Sequence, residues 1–132
     1  MFDVGSIVIN KNLVFKEKGE LDHAYKNGRP CLVIALDEEN YYYLSISRTV
    51  KSTEKTSIDL PDFKKKSSPS FRNVFKAPLC WKDEKGKVPI KTMLTIYKEF
   101  VKYYSKREKC EYYDEVIEYI NKYIKENEKN IH

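Results

Sequence analysis

The fold turns on one uninterrupted stretch: Arg29-Pro30-Cys31-Leu32-Val33-Ile34-Ala35-Leu36, then Asp37-Glu38-Glu39-Asn40, then Tyr41-Tyr42-Tyr43-Leu44-Ser45-Ile46-Ser47-Arg48-Thr49. Residues 31–36 are six apolar side chains in a continuous run. They predict a central strand covered on both faces. The four polar residues 37–40 predict a turn, and residues 41–49 a tyrosine-rich partner strand, so the stretch reads as an antiparallel hairpin. Within the tyrosine run, alternation puts Tyr42 on one face and Tyr41 and Tyr43 on the other. A base-stacking surface is one use of those rings, and at least one side is expected to be core.

Outward from the hairpin, Ser6-Ile7-Val8-Ile9-Asn10 alternates and reads as a first strand, and polar residues 16–28 as a long loop. Downstream, residues 56–60 suggest a further strand and 64–70 a basic loop. Residues 71–81 suggest another strand, followed by the turn Lys85-Gly86-Lys87 and a short segment at 88–90. The period then changes. Met93, Tyr97, Phe100 and Tyr104 recur at helical spacing with Leu94 and Val101 beside them, and Tyr113, Val116, Ile117, Ile120 and Ile124 repeat the pattern. Asp114 and Glu115 suit the start of that second helix. Residues 127–132 are polar and expected to fray. The expected class is α+β: a strand-rich barrel over 1–91 with two C-terminal amphipathic helices over 92–126 packed on it, all one domain of 132 residues.

No apolar run approaches the ~20 residues of a bilayer span, and residues 1–10 lack a signal-peptide pattern, so a cytoplasmic protein without a membrane partner is expected. Cys31, Cys80 and Cys110 are odd in number and far apart, which fits neither a disulfide framework nor a zinc site. Cys31 reads as a small core residue. No metal-ligand cluster, Gly-rich phosphate loop or nucleophile elbow is present, so no cofactor is expected. The net charge of +5 is uneven. Residues 1–40 carry five basic against seven acidic side chains, residues 41–80 eight against three, and residues 81–132 twelve against ten. The basic middle is the footprint of a phosphate-binding surface, or else a solvated loop. Lysine outnumbers arginine 21 to 4, which looks like a general composition bias and lowers the weight of any lysine-rich stretch.

Pro30 fixes its own φ and holds Arg29 extended, so the guanidinium leaves the strand end in a defined direction. A guanidinium suits phosphate because its planar fork donates two parallel hydrogen bonds. If the hairpin turns at 38–39, Arg29 and the hydroxyl of Ser47 lie at the same end of neighbouring strands. Together they can hold a phosphate and stabilise charge developing on it.

The order Gly5-Ser6-Ile7-Val8, loop, Arg29-Pro30-Cys31-Leu32-Val33-Ile34, turn, Leu44-Ser45-Ile46-Ser47 resembles the MazF/PemK-like toxins and, more distantly, the ToxN-like toxins. The resemblance covers roughly residues 4–60. It implies a small SH3-like, plasmid-toxin-type antiparallel barrel that cuts single-stranded RNA without metal. The attacking group in that chemistry is the ribose 2′-hydroxyl, and the products are a 2′,3′-cyclic phosphate and a 5′-hydroxyl. By the resemblance Arg29 takes the place of the family arginine, and Ser47 stands where the MazF-like toxins usually carry threonine. It also implies a cognate antitoxin, protein or RNA, and a possible homodimer. The two C-terminal helices depart from the shorter MazF chains.

His23, in the loop before Arg29, is a candidate for proton transfer because an unperturbed imidazole titrates near neutrality, against the plainer reading of an exposed loop histidine. Arg48, Thr49 and Lys51 follow the hydroxyl and are candidates for contacts to flanking phosphates. Two other readings use the same residues differently: a nucleic-acid-binding barrel without catalysis, and a protein-interaction module docking through its tyrosine-rich helices.

Overall fold

The computed structural model describes residues 3–10, 29–47, 68–78, 84 and 86–128. The expected loop at 16–28 and strand at 56–60 lie outside the described residues, as do Cys80 and residues 129–132. The described elements are β1 (Ser6–Asn10), β2 (Arg29–Leu36), β3 (Asn40–Ser47), β4 (Ser68–Pro69), β5 (Phe75–Pro78), β6 (Gly86–Lys87), α1 (Ile90–Tyr104) and α2 (Tyr113–Glu128). The class is α+β.

All strand pairs are antiparallel, in the order β4-β3-β2-β1-β6, with β5 also on β3. Strands β2 and β3 form the expected hairpin, and residues 31–35 and 41–46 are buried without alternation because both faces are covered. Cys31, Leu32, Val33, Leu44 and Tyr41 have no solvent exposure. Tyr42 and Tyr43 are buried too, so the tyrosine run is core on both faces and offers no stacking surface.

The hairpin register slips between Val33 and Ala35, which leaves Ile34 as the extra residue of a bulge. A bulge removes a carbonyl from the ladder, and a buried carbonyl without a donor costs about 1–3 kcal/mol. Here the Tyr97 hydroxyl of α1 donates to the Ile34 carbonyl at 2.6 Å. Burial pushes that hydroxyl well above the usual tyrosine range. One hydrogen bond thus ties the first helix to the irregular point of the central strand.

Strands β4 and β5 occupy the outer edge of β3 in sequence, β4 against Ile46 and Ser47 and β5 against Asn40 to Tyr43. They are one strand interrupted by residues 70–74, and the expected strand over 71–81 is corrected accordingly. Phe71 and Val74 leave the ladder because they are buried in the core. Phe71 meets the rings of Phe100 and Tyr103, and its carbonyl accepts from the Tyr104 hydroxyl. The expected segment at 88–90 follows β6: Val88 and Pro89 link that strand to α1, and Ile90 opens the helix.

Gly5 has φ +89°, in the region that L side chains rarely adopt. A Cβ there would lie 3.0 Å from the Val88 carbonyl oxygen and 3.4 Å from Met93 Cγ. The Gly5 N–H donates to Val33 (2.8 Å), and its carbonyl accepts from Val88 (2.8 Å). The glycine that opens the sequence motif is therefore where β1, β2 and the entrance to α1 meet.

Pro89 precedes α1 and its carbonyl accepts from the Met93 N–H. The helix buries Met93, Ile96, Tyr97, Phe100 and Tyr104, while Val101, expected beside the core, is 41% exposed. Helix α2 runs to Glu128, two residues past the expected 126, and packs on β2 and α1. It buries Val116 and Ile120, and its Tyr123 meets Tyr97 edge-on. Tyr112, just before it, has φ +66°, held by ring contact with Tyr42 and by Lys76 over its face. No described helix is long and apolar enough to cross a membrane.

Candidate nucleic-acid interface

The sheet's two ends differ in chemistry. Following the register outward from the Cys31↔Ser45 pair, two further steps on each strand bring Arg29 and Ser47 to matching positions. Arg29 is itself paired with Asn10 of β1, and Ser47 with Ser68 of β4. The register therefore aligns four neighbouring strands on one row, Asn10, Arg29, Ser47 and Ser68, the last described row on this side of the sheet. All four side-chain types form hydrogen bonds, and one is a permanent cation. The structure describes the backbone of these four residues.

The next row inward is Ile9, Pro30, Ile46 and Pro69, of which Pro30, Ile46 and Pro69 are buried. Two prolines with fixed φ and two isoleucines stiff at χ1 make a rigid, apolar floor behind the polar row.

The expectation that Arg29 and Ser47 share one end of adjacent strands agrees with this register. Asn10 and Ser68 were not among the expected site residues. Each reaches the row through pairing that is distant in sequence, β1 with β2 and β3 with β4. His23, Arg48, Thr49 and Lys51 lie outside the described residues. Of the basic side chains in the middle third, Arg72 and Lys76 are described, and both are exposed.

The opposite end of the hairpin is built differently. Asp37 accepts the backbone N–H groups of Glu39 and Asn40 and the Tyr42 hydroxyl, at 2.8, 2.8 and 2.7 Å. These bonds, that from Tyr42 first, hold its carboxyl below the usual aspartate range. Burial, aided by the bond to Asp37, pushes the Tyr42 hydroxyl well above its ordinary value. The turn end lies seven residues along β2 from Arg29, about 23 Å at strand rise. Its perturbed groups are explained by the turn they close, so the shifts there carry no catalytic reading. Ser6, almost fully buried on β1, donates to the Glu84 carboxylate at 2.8 Å, another satisfied structural contact.

Comparison with protein-family models, with curated proteins and with solved structures returned no match. The reading of the site therefore rests on the chain's own residues.

Proposed function

We propose that the protein is a metal-independent endoribonuclease, the toxin of a toxin–antitoxin pair, acting on single-stranded RNA at the polar row Asn10–Arg29–Ser47–Ser68. The observation that carries this reading is the register that brings Arg29 and Ser47 to matching ends of β2 and β3. In the same reading the sheet closes between β6 and the β4/β5 edge into an SH3-like barrel, with α1 and α2 packed outside it.

The chemistry asks little of the protein beyond electrostatics and proton handling. The ribose 2′-hydroxyl attacks the adjacent phosphorus and the bond to the 5′-oxygen breaks, leaving a 2′,3′-cyclic phosphate and a 5′-hydroxyl. Negative charge grows on the non-bridging oxygens during attack. A guanidinium with parallel donors neutralises that charge, and a hydroxyl donor beside it adds a directed hydrogen bond. Arg29 takes the first role and Ser47 the second. His23 serves as the proton-transfer group, and Arg48, Thr49 and Lys51 contact flanking phosphates.

A cleavage assay in EDTA tests the reading. Single-stranded RNA incubated with purified protein is expected to yield fragments ending in cyclic phosphate, and Arg29→Ala to leave the RNA whole. Salt-sensitive RNA binding with no change in RNA length would replace the enzyme by a non-catalytic nucleic-acid-binding barrel.

A further inference from the structure

Beside the strand-end row, the two halves of the sheet differ. Tyr42 of β3 meets the Tyr112 ring at the entrance to α2, so alternation puts Tyr43 and Ser45 on the face of β3 away from the helices. Ser47 falls on that same face. Just past β4, the Ser70 N–H donates to the Ser45 carbonyl at 2.8 Å, which continues the register pairing Ile46 with Pro69 and Ser47 with Ser68. Ser45-Ile46-Ser47 thus runs against Ser68-Pro69-Ser70, and four of the chain's nine serines stand at the corners of one square. Strand geometry makes it about 5 Å across the strands and about 7 Å along them. On the β1–β2 side, the same inner position is held by Val8 and Cys31, both without exposure. Serines therefore extend inward from the row only on β3 and β4, next to Arg29.

Ser45 carries a second, independent signal. It is 4% exposed, and its hydroxyl has no hydrogen-bond partner among the described residues. Four other buried hydroxyls each have an acceptor: Ser6 donates to Glu84, Tyr42 to Asp37, Tyr97 to the Ile34 carbonyl and Tyr104 to the Phe71 carbonyl. An unpaired buried hydroxyl is disfavoured in the free protein and gains when a ligand supplies its partner.

We propose that this serine square reads the ribose 2′-hydroxyls of RNA lying along the row, with Ser45 and Ser70 as its specificity-determining residues. Resting on the proposed function for its ligand, the assignment adds the path of the substrate: from Arg29 across β3 onto β4. The chemistry of the square selects that ligand. A serine hydroxyl both donates and accepts, as a 2′-hydroxyl does, whereas a carboxylate only accepts and a deoxyribose lacks the group altogether. The square is itself neutral, so it offers an acidic polypeptide no charge to bind. Ser45, almost closed to bulk water, is not a solvated surface serine.

Two oligonucleotides of one sequence test the proposal: an all-RNA strand, and a DNA strand with ribose only at the nucleotide whose 2′-hydroxyl attacks, once cleavage of the RNA has mapped it. Wild type is expected to cleave both, with KM about tenfold higher for the chimaera and kcat unchanged, as for the loss of uniform binding by an ordinary hydrogen bond. The double variant Ser45→Ala, Ser70→Ala should raise KM for RNA to the chimaera's value and leave the chimaera's KM where it was. Ser70→Ala alone should go part of the way. Both variants should melt close to wild type, because neither hydroxyl bonds a described residue. A KM ratio unchanged in the double variant, equal KM for both strands in wild type, a loss confined to kcat, or a marked fall in melting temperature for both variants overturns the proposal. If wild type cleaves neither strand, the ribonuclease reading falls, and the anisotropy of labelled RNA and DNA of one sequence decides this one. RNA preferred by wild type and not by the double variant upholds it, and equal affinity sinks it.

Discussion

The two ends of the β2–β3 hairpin use polar residues for different ends. At the turn, the Asp37 carboxylate is met by two backbone N–H groups and the Tyr42 hydroxyl, so its bonding is satisfied by the turn itself. At the open end, the register aligns Asn10, Arg29, Ser47 and Ser68 in the last described row, next to Ile9 and the buried Pro30, Ile46 and Pro69. A shifted ionisation marks architecture at the first end. A row of recognition-competent residue types, assembled from four strands, marks the candidate chemistry at the second.

Substitutions can separate the ends, and the largest effect is expected at the open one. Arg29→Ala should lower RNA cleavage by 10²–10³-fold, the range for losing one preorganised charge-stabilising donor, with the thermal midpoint unchanged. Ser47→Ala should lose less, on the order of tenfold to a hundredfold, and Ser47→Thr should restore activity because the hydroxyl returns. A large drop in stability with Arg29→Ala would turn the open end into architecture as well.

Between the ends, the bulge and the glycine report on the frame. Tyr97→Phe leaves the buried Ile34 carbonyl without its donor and should cost about 1–3 kcal/mol in denaturant unfolding. Gly5→Ala meets both a strained φ and the Val88 carbonyl, and about 1–3 kcal/mol is expected there too.

The pH dependence follows from the buried hydroxyls. Burial raises Tyr97 and Tyr104 above the ordinary tyrosine value, and Tyr119 is pushed up to about 12 by burial and the Asp3 charge. The folded state thus favours the neutral phenols. Their stabilisation is complete below the unfolded value of about 10 and is lost as pH rises through the folded values. Alkaline unfolding monitored by tyrosine absorbance should accordingly lag normal phenol titration and then proceed cooperatively.

The smallest effect belongs to the turn. Asp37→Asn keeps the shape and weakens charge-assisted acceptance, so a loss of about 1 kcal/mol or less with no change in cleavage is expected. In wild type the contribution of Asp37 is present above the unfolded aspartate value and fades as pH falls below it, because its folded value is depressed.

How much was legible follows from how local each signal is. The hairpin and both helices were readable because six apolar residues in a row, or a 3.6-residue period, report burial directly from the chain. Arg29 and Ser47 were readable as a pair because a hairpin with a known turn fixes its own open end. Asn10 and Ser68 were not, since their places depend on pairing between segments far apart in sequence. The broken edge strand was misread for a related reason. Phe71 and Val74 are as apolar as strand residues, but both are buried in the core, Phe71 against Phe100 and Tyr103, which only the packed helix reveals. The tyrosine run was ambiguous because nothing local to it says that its second face is covered.

The most direct test of the central claim is cleavage of single-stranded RNA in EDTA by wild-type protein and by Arg29→Ala, with both chains shown to melt at the same temperature. Fragments with cyclic-phosphate ends from wild type and intact RNA with the variant are the predicted result. Equal cleavage by both chains, or none by either, would contradict the assignment of the open strand ends as the catalytic site.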